Sequence, residues 1–88
     1  MAGLTKVLTP SEIARATADM VLALQKKFPQ AQIVPCDTIE GEALHLEVQL
    51  PHISEEERKR AQEEALDLKR QIEDRYGLSI LVRVVSQT

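Results

Sequence analysis

The residues of this chain best suited to chemistry are potential metal ligands that lie between positions 36 and 52. Cys36, Asp37, His45, Glu47 and His52 carry the thiolate, carboxylate and imidazole groups that bind zinc and similar ions. On a strand, His45 and Glu47 share one face about 7 Å apart. Their spacing matches no closed zinc motif, and each residue also fits an ordinary structural role. We therefore expect either no cofactor or a zinc or other divalent metal site shared between two subunits, with Cys36, Asp37 and His45 as ligands.

Catalytic motifs are absent from the sequence. It contains no glycine-rich phosphate loop, no Gly-x-Ser-x-Gly elbow and no His-Glu-x-x-His helix, and its three glycines are isolated. Ser11 and Ser54 stand where helices begin, and Ser79 stands where a strand begins. We therefore expect a protein that is not an enzyme.

The composition indicates one small domain from a reducing compartment. Residues 1–88 are too few to bury two cores, so they are predicted to form a single domain. Aromatic residues make up only 2% of the chain, so the core must be aliphatic. Cys36 is the only cysteine, which fits a cytoplasmic location. No run approaches the ~20 apolar residues of a membrane span, so we expect no membrane association.

Capping residues predict two helices. Thr9 caps the first, over 9–28, and Ser54 caps the second, over 54–76. Residues 1–8 precede them as an arm that the sequence leaves either ordered or flexible. Leu22 falls on the outer side of the first helix and should be exposed. The predicted buried stripes are Ile13, Thr17, Met20, Leu24 and Phe28 in the first helix, and Ala61, Ala65, Leu68, Ile72 and Tyr76 in the second.

Between and after the helices, the pattern predicts a hairpin over 30–50 and a last strand over 78–85. Pro35 interrupts the first half of the hairpin, which is typical of an edge strand or a bulge. The second half alternates strictly and places Leu46 and Val48 on the buried face. These two side chains are expected to be fully buried against Leu68 and Ile72 of the second helix.

These elements predict an α/β protein of the α+β type: a two-layer sandwich in the order α-β-β-α-β, with a ferredoxin-like order. Its three-stranded mixed sheet carries both helices on one face, and the crossover to the last strand is parallel. The other face is left open and presents His45, Glu47, Leu81, Arg83 and Val85. Because a partly aliphatic face favours a partner, we expect a small binding or regulatory module that acts through protein–protein association, as a homodimer or with another protein.

RNA binding is a further alternative, because the same element order can be drawn onto KH-type folds. The Gly-x-x-Gly signature of those folds is absent. Arg58-Lys59-Arg60 is a short basic cluster, but five glutamates surround it and the net charge is −3. Nucleic acid is therefore the least favoured of the partners considered.

From about Ser11 to Val85 the chain resembles the cytoplasmic domain of cation diffusion facilitator transporters. The best matching stretch runs from Leu44 to Pro51 and continues into Ser54-Glu55-Glu56-Glu57. Cys36-Asp37 occupies roughly the place of the family's His-Asp, while Arg83 stands near a family histidine of the last strand. The resemblance implies this element order, dimerisation and binding of a divalent metal that regulates transport. It assigns a metal role to Cys36 and Asp37.

Overall fold

The computed structural model describes residues 9–38 and 41–87 and has the predicted order of elements. Its helices are α1 (Pro10–Lys27) and α2 (Glu55–Tyr76), and its strands are β1 (Gln32–Pro35), β2 (Leu44–Leu50) and β3 (Ile80–Ser86). The three-stranded mixed sheet and two helices form the small α+β fold that the sequence predicts. The predicted arm, residues 1–8, lies outside the described residues, as does the part of the hairpin turn at 39–40.

Local capping explains where the helices begin and end. The Thr9 hydroxyl oxygen accepts a backbone N–H of the first turn of α1 at 3.2 Å. At the start of α2, Ser54 and Glu57 form a reciprocal capping box at 3.1 and 3.3 Å. Gly77 ends α2 in the left-handed conformation, with φ 68° and ψ 35°, which glycine adopts without steric cost. Both predicted helices are confirmed to within one residue at each end.

The buried stripe of α1 differs from the predicted one. Ala16, Met20 and Leu24 are fully buried, whereas Ile13 and Thr17 are only half-buried. Because α1 packs against both α2 and the sheet, its most enclosed positions face the seam between them. A small side chain such as Ala16 lets the neighbouring elements approach closely at that seam.

A polar clasp joins the two helices near the end of α2. The Tyr76 hydroxyl donates a hydrogen bond to the Asp19 carboxylate of α1, and Arg75 reaches the same oxygen at 3.4 Å. This hydrogen bond raises the pKa of Tyr76 above its usual value, because the neutral phenol is the form that donates. Tyr76 and Leu68 were both predicted to be buried. The structure shows both half-buried, at the margin of the core.

The sheet has the order β1-β2-β3, with β2 in the centre. β1 pairs antiparallel with β2, and β3 pairs parallel with β2, as expected for a hairpin followed by a helical crossover. Leu46 and Val48 of the central strand are 0% exposed, which confirms their predicted burial. Residues from both helices and all the buried strand positions form one core, so both helices lie on the same side of the sheet.

Candidate functional site

The sheet surface that faces away from both helices, called here the open face, is the candidate site. In β2 the alternating leucine and valine side chains are buried, so His45, Glu47 and Gln49 point to the opposite side. The same alternation in β3 places Leu81, Arg83 and Val85 on that side. The structure thus brings all five residues predicted for the interface onto one surface.

Strand register arranges the open face in three rows that run across the sheet, with Cys36 one residue beyond the end of β1. We call them the cysteine row, the charged row and the glutamine row. They comprise Cys36, His45 and Leu81; Val34, Glu47 and Arg83; and Gln32, Gln49 and Val85, respectively. Neighbours within a row lie about 4.8 Å apart, the usual spacing between strands. The sequence predicted the face, and the register now shows which residues are direct neighbours.

The open face exposes more aliphatic surface than its polar central strand suggests. Among the described residues, the exposed large hydrophobic side chains are Leu81, which lies on the open face and is 37% exposed, and Leu22, which lies on α1 away from that face and is 58% exposed. The exposure of Leu22 confirms the prediction for the outer side of α1. Val34 and Val85 are half-buried on either side of the central strand. The open face therefore combines an apolar margin with a polar centre.

A hydrogen-bonded chain holds the carboxylate in the charged row. The Gln87 side-chain amide donates to the side-chain carbonyl oxygen of Gln49 at 2.9 Å. The side-chain amide of Gln49 in turn donates to the Glu47 carboxylate at 2.8 Å. Arg83 is exposed and stands opposite Glu47 in the parallel register. Within the described part of the chain, the salt bridges found do not include Arg83. The charged row thus places a positioned carboxylate beside a guanidinium that projects into solvent.

The cysteine row holds two of the three predicted metal ligands. Cys36 is the cross-strand neighbour of His45, and its N–H donates to the His45 carbonyl at 2.8 Å. The His45 Nδ1 lies 2.9 Å from the Asp37 carbonyl oxygen. A carbonyl only accepts, so Nδ1 donates this hydrogen bond, and the neutral form of the ring then carries its lone pair on Nε2. Asp37 contributes this backbone oxygen, and its exposed carboxylate belongs to no cluster with the other two side chains.

No metal centre forms from one chain alone within residues 9–38 and 41–87. No three His, Cys, Asp or Glu side chains come together there in an arrangement that could hold an ion. The Cys36 thiol donates to the carbonyl of Val34 at 3.6 Å, on its own strand. His52 is exposed in the loop after β2, away from the cysteine row. A site shared between two subunits stays a prediction.

The outer edge of β3 is closed by a side chain of α2, a contact that the sequence analysis missed. The Gln62 amide nitrogen donates to the Val82 carbonyl at 3.1 Å, and its carbonyl oxygen accepts from the Val84 N–H at 2.8 Å. This pair of bonds is the one that a peptide group of an added strand would make. Gln62 therefore occupies the place of a neighbouring strand along this part of the edge.

Two further α2 side chains extend this closure along β3. The Glu73 carboxylate accepts from the Ile80 N–H at 2.9 Å, and the Arg58 guanidinium approaches the Val84 carbonyl at 3.5 Å. Arg58, Gln62 and Glu73 lie on one stripe of the helix, beside the apolar one. The helical spacing of these polar residues, next to the apolar stripe, was the signal in the sequence that could have revealed this contact.

The edge formed by β1 is short and contains a proline. Because Cys36 and His45 form a hydrogen-bonded pair, alternation makes Pro35 and Leu46 a non-hydrogen-bonded pair. The backbone of Pro35 therefore faces outward, where its missing N–H weakens the edge as a template for another strand. Of the two alternatives predicted for the Pro35 segment, an edge strand or a bulge, the structure shows an edge strand.

The basic cluster proposed for RNA binding is partly engaged within the chain. The Arg58 guanidinium donates to the Glu55 carboxylate at 2.7 Å, and this hydrogen bond lowers the pKa of Glu55. Arg60 lies at a shallow pocket together with Glu57 and Glu64, whose negative charges offset its positive charge. These contacts lend the RNA-binding alternative no support, and it stays a prediction of the sequence.

Comparisons with known proteins identified no relative of this chain. Neither helix in the described part of the chain has the length and apolar character needed to cross a membrane. The resemblance to the cytoplasmic domains of cation diffusion facilitator transporters remains an expectation from sequence. No family model, curated protein or solved structure matches this chain.

Proposed function

We propose that this chain is a small non-catalytic binding module that associates with a second copy of itself through the open face. The observation that carries the proposal is the exposure of Leu81 beside Val85 on a sheet surface that neither helix covers. Burying apolar surface of this kind is the main driving force of protein association. The single cysteine fits the reducing cytoplasm as its location.

The state of the sheet edges favours the open face over edge-to-edge association. On β3, Gln62 and Glu73 already occupy backbone groups that a partner strand would need. On β1, only four residues are available and Pro35 is one of them. Edges blunted in this way resist pairing with another chain. The open face, rather than a sheet edge, is therefore the route to a dimer that we propose.

Replacing Leu81 with aspartate should dissociate the dimer, because each interface would then have to bury an unpaired carboxylate. Native mass spectrometry and light scattering should show dimers for the wild type and monomers for Leu81→Asp. The matched control is Leu22→Asp, which makes the same change at the other exposed leucine, on α1. This control should remain dimeric. A Leu81→Asp variant with the wild-type mass would show that the open face is not the interface.

A metal-responsive module is the second candidate, and the cysteine row favours it. The contact of His45 Nδ1 with the Asp37 carbonyl leaves Nε2 as a free donor atom, an arrangement common among metal-binding histidines. Cys36 lies beside it in the same row. Two chains together offer two thiolates and two imidazoles, which is the donor set of a tetrahedral zinc site.

Zinc titration should separate this candidate from simple association. If the site exists, zinc binds at one ion per two chains, and the Cys36→Ser/His45→Ala variant loses most of that affinity. His52→Ala, which removes the other histidine of the chain, is the control and should bind as the wild type does. Equal zinc affinities of the wild type and the double variant would eliminate the metal-responsive module.

A further inference from the structure

We infer that the two copies stack open face to open face with their strands parallel, so that Glu47 of each chain faces the partner's Arg83. This inference rests on the proposed association through the open face and deepens it by specifying how the second copy is oriented. It follows from the charged row and from the symmetry that two identical chains must obey.

Symmetry leaves two ways to stack two identical sheets with their strands aligned. A face-to-face dimer of identical chains has a twofold axis lying in the plane between the sheets. An axis along the strands keeps the strands of the two sheets parallel and exchanges left with right. An axis across the strands reverses the strand direction and keeps each strand over its own copy. These two cases place the charged row on different partners.

Charge separates the two cases. An axis across the strands keeps β2 over β2, so it never sets Glu47 over Arg83, and at the charged row it sets Glu47 over the second Glu47. An axis along β2 also sets Glu47 over its own copy. An axis along the strands and between β2 and β3 sets Glu47 over Arg83 twice, once from each chain. Like charges in direct opposition destabilise an interface, whereas complementary charges fix its register, so the third arrangement is favoured.

The neighbouring rows agree with this arrangement. The same axis sets His45 over the partner's Leu81, and Gln49 over the partner's Val85. His45 and Gln49 of β2 thereby cover Leu81 and Val85 of β3, and these aliphatic residues of each chain leave water. Stacked sheets lie about 10 Å apart, a gap that a glutamate and an arginine span together. The hydrogen bond from Gln49 already positions the Glu47 carboxylate, which lowers the entropy cost of forming the pair.

The size of the overlap makes the dimer a weak one. Only β2 and β3, of seven residues each, overlap in this arrangement. That surface is well below the ~800 Å² per partner of a typical stable interface. We therefore expect dimerisation that depends on protein concentration and weakens as salt screens the two ion pairs.

Neutralising Glu47 tests the orientation, with the dimer dissociation constant measured by analytical ultracentrifugation. Because two cross-chain pairs are lost, Glu47→Gln should weaken the dimer by roughly fivefold. If Glu47 instead faced its own copy, the same variant would remove a repulsion and strengthen the dimer. A stronger or unchanged dimer therefore overturns the inferred orientation.

Charge reversal supplies a control against misfolding. Glu47→Arg and Arg83→Glu should each form a weaker homodimer than the wild type, and an equimolar mixture should form the heterodimer, which native mass spectrometry resolves by mass. The double variant Glu47→Arg/Arg83→Glu should dimerise as the wild type does. Failure of both the mixture and the double variant to recover dimers overturns the inference.

The result for Leu81→Asp separates failure of the orientation from failure of the face. If Leu81→Asp dissociates the dimer but Glu47→Gln does not weaken it, the open face is the interface and only the orientation is wrong. If Leu81→Asp has no effect, or if the wild type is monomeric at every concentration, both the proposed association and the inferred orientation are overturned.

Discussion

Replacing Leu46 with alanine should lower the free energy of unfolding by about 2–5 kcal/mol. Leu46 is 0% exposed at the middle of the central strand, where the sheet and both helices contribute to one core. The truncation removes buried apolar contacts and leaves a cavity that the surrounding side chains fill only partly. A domain has only about 5–15 kcal/mol of unfolding free energy in total, so this variant should retain little stability at physiological temperature.

Urea denaturation followed by far-ultraviolet circular dichroism measures this loss. Leu22→Ala is the matched control, because it makes the same truncation at a leucine that is 58% exposed on α1. The control should change the stability by less than about 0.5 kcal/mol. A loss below about 1 kcal/mol for Leu46→Ala would mean that the two faces of β2 are exchanged, since only an exposed leucine is so cheaply removed.

Replacing Gln62 with leucine should both destabilise the fold and open the β3 edge. The amide of Gln62 makes two hydrogen bonds to the backbone of β3, and leucine can make neither. Leaving backbone groups without partners at a half-buried site costs about 1–3 kcal/mol. The freed groups of Val82 and Val84 would then form a template for another strand, so we also expect concentration-dependent aggregation.

Denaturation midpoints and light scattering at several protein concentrations test both effects. Gln71→Leu is the control, because Gln71 lies exposed on the same helix and the change adds the same apolar side chain. Gln62→Glu should fall between the two, since it retains an acceptor for the Val84 N–H and loses the donor to the Val82 carbonyl. If Gln62→Leu and Gln71→Leu behave alike, the β3 edge does not depend on the Gln62 amide.

The features predicted correctly from the sequence are those that depend on neighbouring residues. Ser54, Glu57 and Gly77 specify the ends of α2 through contacts within one turn of the helix. Strict alternation in β2 was enough to separate the buried face from the open one, because the side-chain period of a strand is two. The residues that β2 and β3 contribute to the open face were therefore predictable one by one.

The features missed depend on how elements far apart in the sequence meet. The full burial of Ala16 reflects its place at the seam between α2 and the sheet, which helical periodicity alone does not reveal. The bonds from Gln62 to β3 join residues about twenty positions apart, and they require α2 to lie directly over the strand edge. The tie between His45 and Asp37 likewise depends on the hairpin bringing them together.

The clasp between α1 and α2 has a practical consequence for spectroscopy. The chain has no tryptophan, and Tyr76 is its single tyrosine, so its near-ultraviolet signal comes almost entirely from the phenol bound to Asp19. A carboxylate that accepts a hydrogen bond from tyrosine commonly quenches the fluorescence of the ring. The emission of the unlabelled protein therefore reports on one contact, the docking of the two helices.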